Sequence, residues 1–356
     1  MDTIKIGKKI IGAREPLYFI ADIAANHDGD IARAYKLIEL AKQAGADAAK
    51  FQNFQALKIV SKEGFEKLGG KMSHQSSWKK SVFETYRDAS IPLDWTAKLK
   101  EKCEEVGIEY FTSPYDFGSV DAVDPFVNVY KIGSGDITWT AIIDYIAGKG
   151  KPVIIATGAS DMADVDRAME TLSRRGAPVV LMQCNTNYTA KAENFRYINL
   201  NVLKSYAQKF PRVILGLSDH TPSHATVLGA VALGARVFEK HFTDDNTREG
   251  PDHKFAMNPA TWREMVERAN ELYLALGDGV KVIEGNEAES VKLQRRAIRA
   301  ACDLKPGQTV AAGDLDFLRP ITERGLPPYR AGEIVGKKLA RAVGRGQEIE
   351  LTDLII

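Results

Sequence analysis

At 356 residues, 44% of them hydrophobic and 27% charged, the chain has the make-up of a soluble globular protein with one large domain and a small one. Forty-eight Lys and Arg against 47 Asp and Glu leave a formal charge of +1, so no global field draws it to nucleic acid or an anionic membrane. Any anionic ligand must therefore meet local cations. The three cysteines, Cys103, Cys184 and Cys302, are scattered without a CxxC pair, which excludes a disulfide framework and a cysteine-based zinc site. Residues 1–9 are charged and lack the apolar core of a signal peptide, and no stretch approaches the roughly 20 apolar residues of a membrane span. These features predict a cytoplasmic protein.

Short apolar runs predict strands over 18–21, 48–52, 109–112, 129–132, 153–156, 179–183, 213–217 and 236–240. Segments of helical period lie between them, such as Ile31, Ala34, Ile38 and Ala41, closed by Gly45 as a C-terminal cap. The last helix of the series opens with Asn258 as N-cap and Pro259 at the first helical position, and stops at Gly277. Eight such units predict a parallel (β/α)8 TIM barrel over 1–277. A doubly wound open sheet fits less well, because there are eight units and no GxGxxG. Residues 278–293 read as a polar linker. Residues 294–356 are turn-rich with short extended runs and predict a small β-rich domain. Within them Gly307-Gln308 and Asp314-Leu315 recur as Gly346-Gln347 and Asp353-Leu354 at equal spacing, the mark of pseudo-symmetric halves. Some ~60 residues fold alone only marginally, so docking against a partner surface is expected.

In such a barrel the chemistry lies at the C-terminal ends of the strands. Asp22, Lys50, Thr112, Ser113, Lys131, Gln183, Ser218, His220 and His241 fall at or just after those ends. His220 and His241 close adjacent strands, where one divalent cation can bridge two imidazoles and keep positions open for water or substrate. The plainer reading is a pair of hydrogen-bonded rim histidines, and the matched strand ends favour metal. Lys50 and Lys131 sit within apolar strands, where an unpaired ammonium is costly and calls for an anion. With Thr112, Ser134 and Ser218 they suit a phosphate and a carboxylate. A structural ion pair to Asp22 or Asp136, or a Schiff-base lysine, are the alternatives. Gly133-Ser134-Gly135-Asp136 offers backbone N–H groups beside a carboxylate. Asp252 lies in the loop after the eighth strand, where a rim carboxylate serves as base or hydroxyl acceptor. Asn26-His27 reads as the turn before the first barrel helix, and His74, His224 and His253 read as bystanders, although His253 is close enough to Asp252 to matter.

Taken in order, several of these pieces resemble the sialic acid synthase family over nearly the whole chain. They run from Phe19-Ile-Ala-Asp22 through Asn26-His27 and Lys50-Phe51-Gln52 to Tyr130-Lys131-Ile-Gly-Ser134-Gly135, then Gly216-Leu-Ser-Asp219-His220-Thr221 and Glu239-Lys240-His241-Phe-Thr243. The tail, with Leu318-Arg319-Pro320 and Val335-Gly336-Lys337-Lys338, is similar to the family's antifreeze-like (SAF) domain.

The resemblance implies condensation of phosphoenolpyruvate with N-acetylmannosamine or a related N-acylated amino-hexose, giving a nonulosonic acid and phosphate. It matches His220 and His241 to manganese ligands, with Mg2+ or Co2+ as substitutes. Lys50, Thr112, Lys131, Ser134 and Ser218 match positions that hold phosphoenolpyruvate, and Tyr188 and Asp252 match contacts to the sugar. Gln52 falls in the same motif as Lys50, among the substrate-binding positions. Arg319 matches an arginine that the tail delivers into a partner's site, which implies a domain-swapped homodimer.

The sequence departs from the family at Asp22 and Asp136, each in place of a glutamate, at Ala156 in place of a serine, and at Thr186 near Tyr188 in place of an asparagine. A carboxylate shortened by one methylene moves by ~1 Å, enough to alter rate or acceptor. The nearest rival readings are therefore synthases of a legionaminic- or pseudaminic-type acid or of a sialic acid 9-phosphate. Further off lie a non-condensing barrel enzyme and an inactive carbohydrate-binding homologue.

Overall fold

The computed structural model describes residues 3–69, 71, 75–76, 78–189 and 191–355. Eight parallel strands form its central sheet: β1 Tyr18–Asp22, β2 Ala48–Asn53, β3 Glu109–Pro114, β4 Tyr130–Ile132, β5 Val153–Ala156, β6 Val179–Cys184, β7 Ile214–Asp219 and β8 Val237–His241. Their order is β3-β2-β1-β8-β7-β6-β5-β4, so first and last strands pair and the sheet curls into a barrel. β3 and β4 lie side by side at the seam, where the ladder is not continued among the described residues. Almost every strand residue is buried, as expected of parallel strands covered by side chains on one face and helices on the other. The fold is the expected TIM barrel.

Six of the strands reach one or two residues further toward the C-terminal rim than apolar periodicity predicts. The added residues are Asp22, Asn53, Ser113, Pro114, Cys184, Ser218, Asp219 and His241. Most are polar and end the apolar run, yet the backbone ladder continues through them, as in the pairing of Gln52 with Ser113. This extension carries functional groups on rigid strand backbone rather than on loops.

The helices begin where their caps dictate. Ile31–Gln43 starts on Asp30, whose carboxylate accepts from the Ala32 N–H at 2.8 Å, and Gly45 follows its end in the left-handed region at φ 97°. Pro259–Ala275 starts on Asn258, whose side-chain oxygen accepts from the N–H groups of Ala260 and Thr261. Two features were not legible in the periodicity. An N-terminal hairpin, Ile4–Ile6 with Lys9–Ile11, buries Ile4, Ile6 and Ile11 in the main core. Among the described residues, the β2–β3 connection holds four α-helices, Ala56–Ile59, Lys62–Lys67, Val82–Ala89 and Trp95–Val106.

The chain divides into two compact units, Met1–Gly277 and Asp278–Ile356. In the second, the stretch read as a linker contains a helix, Ala288–Gln294, entered through a one-turn helix whose Glu284 N–H donates to Glu287. None of its side chains is buried, which is why it left no apolar signal. The two halves of the repeat are built alike. Gln308 accepts from the Lys305 N–H and Gln347 from the Gly344 N–H, while Asp314 and Asp353 each accept from the N–H three residues before them. Leu304 and Val343 exchange backbone hydrogen bonds across the pseudo-dyad. Ile298, Leu304, Val310, Leu339, Val343 and Ile349 form a core of this unit's own.

Candidate active site

Side chains alternate along a strand, so each rim residue faces either the barrel interior or the helix layer. The inward set gathers Asp22, Lys50, Gln52, Lys131, Ser218 and His241 around a cavity of about 400 Å³, in the range of small-ligand sites. The loops add Ser134, Asp136, Tyr188, His220 and Asp252. These eleven residues, all singled out in the sequence, share one cavity, although they come from six strands and their following loops.

At its floor the Lys50 ammonium lies 2.7 Å from Asp22 Oδ2, which also accepts from Gln52 Nε2 at 3.0 Å. Burial works against the Lys50 charge, but Asp22 and Glu239 outweigh it and hold its pKa above the usual lysine value. Lys131 donates to the Ile132 carbonyl at 3.0 Å, and burial leads there, lowering its pKa despite Glu239. Glu239 Oε1 stands 3.7 Å from both ammonium groups and 3.4 Å from the Ser218 hydroxyl, while its Oε2 is buried without a hydrogen-bond partner. Glu239 was part of a motif in the sequence but carried no assigned role. Its place between two lysines was invisible because Lys50 and Lys131 lie on strands that are not its neighbours in the sequence.

Thr112, expected at the anion site, is not there. It faces the helix layer, donating at 2.7 Å to Asn53 Oδ1, whose amide in turn donates to Thr96. Ser113 takes the inward position and lines the cavity, its hydroxyl without a protein partner. The two hydroxyls are adjacent in sequence, and only the pairing of Ser113 with inward-facing Gln52 decides between them.

Ser134 Oγ accepts from the Gly158 N–H at 2.9 Å. A Cβ at Gly158 would stand 2.9 Å from that oxygen and 2.4 Å from the Thr186 methyl, so the approach requires glycine. Asp136 is desolvated, which pushes its pKa up to about 6 although Lys131 pulls it down. It is thus a carboxyl able to exchange a proton near neutrality.

The imidazoles of His220 and His241 have ring centroids 5.4 Å apart. Tyr188 lies 4.3 Å from the His220 ring, and Phe255, which no sequence motif marked, lies 4.8 Å from the His241 ring. His220 Nδ1 meets the Asn185 carbonyl at 2.9 Å, a contact that fixes ring orientation. Burial leads in depressing His241 to about 3, so this ring is neutral and its lone pair is available. Its Nδ1 is buried without a hydrogen-bond partner and stands 3.8 Å from Asp252 Oδ2.

Among the described residues no three His, Cys, Asp or Glu side chains converge as a metal cluster, so any cation would rest on the imidazole pair and on oxygens of water or substrate. The surroundings fit one. The orphaned His241 nitrogen needs a partner, and among the described lining residues four carboxylates (Asp22, Asp136, Glu239, Asp252) face two lysines (Lys50, Lys131), an excess of negative charge.

The loops are braced from outside the cavity. Asp252 Oδ2 accepts from the Ala25 N–H at 3.1 Å. His253 is fully buried, and its two ring nitrogens meet Thr243 Oγ1 at 2.7 Å and Asp28 Oδ1 at 2.9 Å. It joins the β1 and β8 loops rather than standing by. His27 is part of the first turn, accepting from the Gly29 N–H. His224 precedes the helix Ala225–Ala232 without capping it, and His74 lies outside the described residues. Arg319 belongs to the second unit, exposed just after the strand Leu315–Leu318.

Residues 37–281 match the family model described as the NeuB family. The chain belongs to the NeuB family. Residues 295–355 match the SAF domain, which identifies the second unit's fold. Within the family, the chain is 32% identical to the N,N'-diacetyllegionaminic acid synthase of Campylobacter jejuni, over 89% of this chain and 94% of that one. It is 30% identical to the human N-acetylneuraminate-9-phosphate synthase, over 96% and 94% respectively. The crystal structure of the N-acetylneuraminic acid synthetase of Leptospira borgpetersenii, in complex with citrate, superposes with a TM-score of 0.72 at 25% identity, covering 82% of this chain and 95% of that one. These three relatives are named as synthases of sialic- and legionaminic-type acids, and this chain shares their fold.

Proposed function

We propose that the protein condenses phosphoenolpyruvate with N-acetylmannosamine or a related N-acylated amino-hexose, giving a nonulosonic acid and phosphate. The observation that carries this reading is the meeting of two strand lysines and two rim imidazoles in one cavity of a NeuB-family barrel. Lys50 and Lys131, with the hydroxyls of Ser113, Ser134 and Ser218, take the phosphate and carboxylate of phosphoenolpyruvate. A divalent cation, Mn2+ first and Mg2+ or Co2+ as substitutes, held by His220 and His241 would supply Lewis acidity at the carbonyl of the open-chain sugar. Asp252 and Tyr188 orient the sugar, and Asp22, with Gln52, lies beside the reacting carbons.

Carbon 3 of phosphoenolpyruvate supplies the electron pair for the new bond to the sugar's carbonyl carbon, whose C=O π pair moves onto its oxygen and is protonated to a hydroxyl, while carbon 2 becomes oxocarbenium-like. Water adds to carbon 2 as Asp136 accepts its proton, and the adduct collapses to a ketone with loss of phosphate by C–O cleavage. Aromatic and apolar walls around Tyr188 and Phe255 limit access of bulk water.

Because Asp22 and Asp136 are short carboxylates, they leave room for an acceptor other than that of a sialic acid synthase. A legionaminic- or pseudaminic-type acid, or a sialic acid 9-phosphate, is the second reading, favoured by the similarity to the Campylobacter legionaminic enzyme. Arg319 is proposed to reach the acceptor from the second copy of a domain-swapped homodimer, in a cytoplasmic enzyme that uses neither nucleic acid nor membrane.

The test is phosphate release from phosphoenolpyruvate with Mn2+, with and without chelator, across N-acetylmannosamine, its 6-phosphate and diacetamido-trideoxy hexoses. Chelator-sensitive release with one acceptor supports the reading and selects among these acids. Silence across the panel in folded, metal-supplemented protein overturns it. Mixing Arg319→Ala with a Lys50 variant should restore activity only if Arg319 acts across subunits.

A further inference from the structure

Behind the two imidazoles, on the helix side of the barrel wall, lies a second charged pair that the proposed reaction does not use. Lys240 and Asp219 are register partners on β8 and β7, each immediately before a cavity-facing histidine. Both are almost fully buried, at 2% and 3% exposure. The Lys240 ammonium contacts Asp219 Oδ2 and also donates to the carbonyls of Thr221 at 2.7 Å and Ser223 at 3.2 Å. The Asp219 carboxylate accepts from the Thr221 N–H and hydroxyl, and from the Thr226 hydroxyl of the helix Ala225–Ala232 at 2.6 Å. The segment from Asp219 to Thr226 is therefore tied to Lys240 of β8 at several points, and His220 lies inside it.

A buried ion pair is a weak source of stability, since an apolar pair of similar volume commonly serves as well. What an apolar pair lacks is direction. Here the hydrogen bonds fix where the chain turns after β7, relative to the strand that carries His241. Strand alternation then turns both histidines inward from that fixed point.

We propose that Asp219 and Lys240 are positioning residues that set the His220–His241 separation, and with it the affinity of the imidazole pair for a divalent cation. The proposal rests on the metal reading given above. It makes no use of proton transfer by either group. Partners behind first ligands commonly alter metal affinity by about 10- to 100-fold.

The experiment is direct Mn2+ binding, read by the electron paramagnetic resonance signal of free Mn2+, on wild type and on the double variant Asp219→Leu with Lys240→Met. Thermal unfolding of both in chelator runs alongside. The expected result is a double variant that unfolds within about 5 °C of wild type yet binds Mn2+ about 10- to 100-fold more weakly. Wild-type affinity in the folded double variant overturns the proposal. Should the double variant fail to fold, Thr226→Val, which removes one hydroxyl from Asp219, carries the test: several-fold weaker binding supports the proposal and unchanged binding overturns it. Wild-type protein that takes up no Mn2+ removes the underlying metal reading, and this proposal with it, which separates the two failures.

Discussion

The Lys50 ammonium lies 2.7 Å from the Asp22 carboxylate, and both side chains are 2% exposed. An anionic substrate reaching Lys50 must therefore share it with Asp22 rather than find it free. Removing one member of such a pair leaves the other charge buried alone. Lys50→Met should lower stability by about 3–5 kcal/mol and cut phosphate release by more than about 100-fold. Adding Asp22→Asn should return most of the stability without the activity. Denaturant unfolding of the single and double variants, beside turnover, checks both halves.

His220 and His241 make separable contributions to fold and chemistry. Neither ring is central to the hydrophobic core, and each faces the cavity. His220→Ala and His241→Ala should each abolish chelator-sensitive turnover, by about 100-fold or more, while retaining the wild-type circular dichroism spectrum. Activity unchanged in both would remove the cation from the scheme.

Thr112 and Ser113 give a sharper contrast. Ser113→Ala should raise KM for phosphoenolpyruvate several-fold with little change in stability, because its hydroxyl has no protein partner to lose. Thr112→Val should leave that KM unchanged and cost about 1–3 kcal/mol, because it strands buried Asn53 Oδ1. Initial-rate kinetics and urea unfolding on the two variants decide it. The reverse pattern would place Thr112 back at the anion site.

Asp136 makes a pH-dependent contribution of defined sign. Burial raises its carboxyl from an ordinary 3.8 to about 6, so between those values the native state holds a proton that the unfolded chain has released. From this group, stability is fully present below about 4 and falls as pH rises to about 6, by on the order of 3 kcal/mol. Asp136→Asn should remove that dependence, so the variant gains on wild type between pH 4.5 and pH 7 in urea unfolding. Turnover of wild type should rise with pH through about 6 as the carboxylate becomes able to accept a proton. A flat profile there would take Asp136 out of the proton-accepting role.

Much of this was legible in the sequence, for a physical reason. Parallel barrel strands are covered on both faces and so read as short apolar runs, and each stops at a polar residue that marks the rim. That pattern marked His220 and His241 at strand ends, and Lys50 and Lys131 as strand lysines, although β2 runs on three residues past Lys50. Capping chemistry placed the helices opening after Asp30 and Asn258, and the repeated Gly-Gln and Asp-Leu pairs exposed the two halves of the SAF unit. The tertiary structure decided what depends on register and on contacts between distant segments. It chose Ser113 over Thr112, because inward and outward hydroxyls are neighbours in sequence and differ only in how β3 pairs with β2. It set Glu239 between Lys50 and Lys131, 189 and 108 residues away along the chain, and brought Phe255 against His241. It also made His253 a brace to Asp28 across 225 residues. Local pattern reports which residues a strand end presents; only closure of the barrel determines which of them meet.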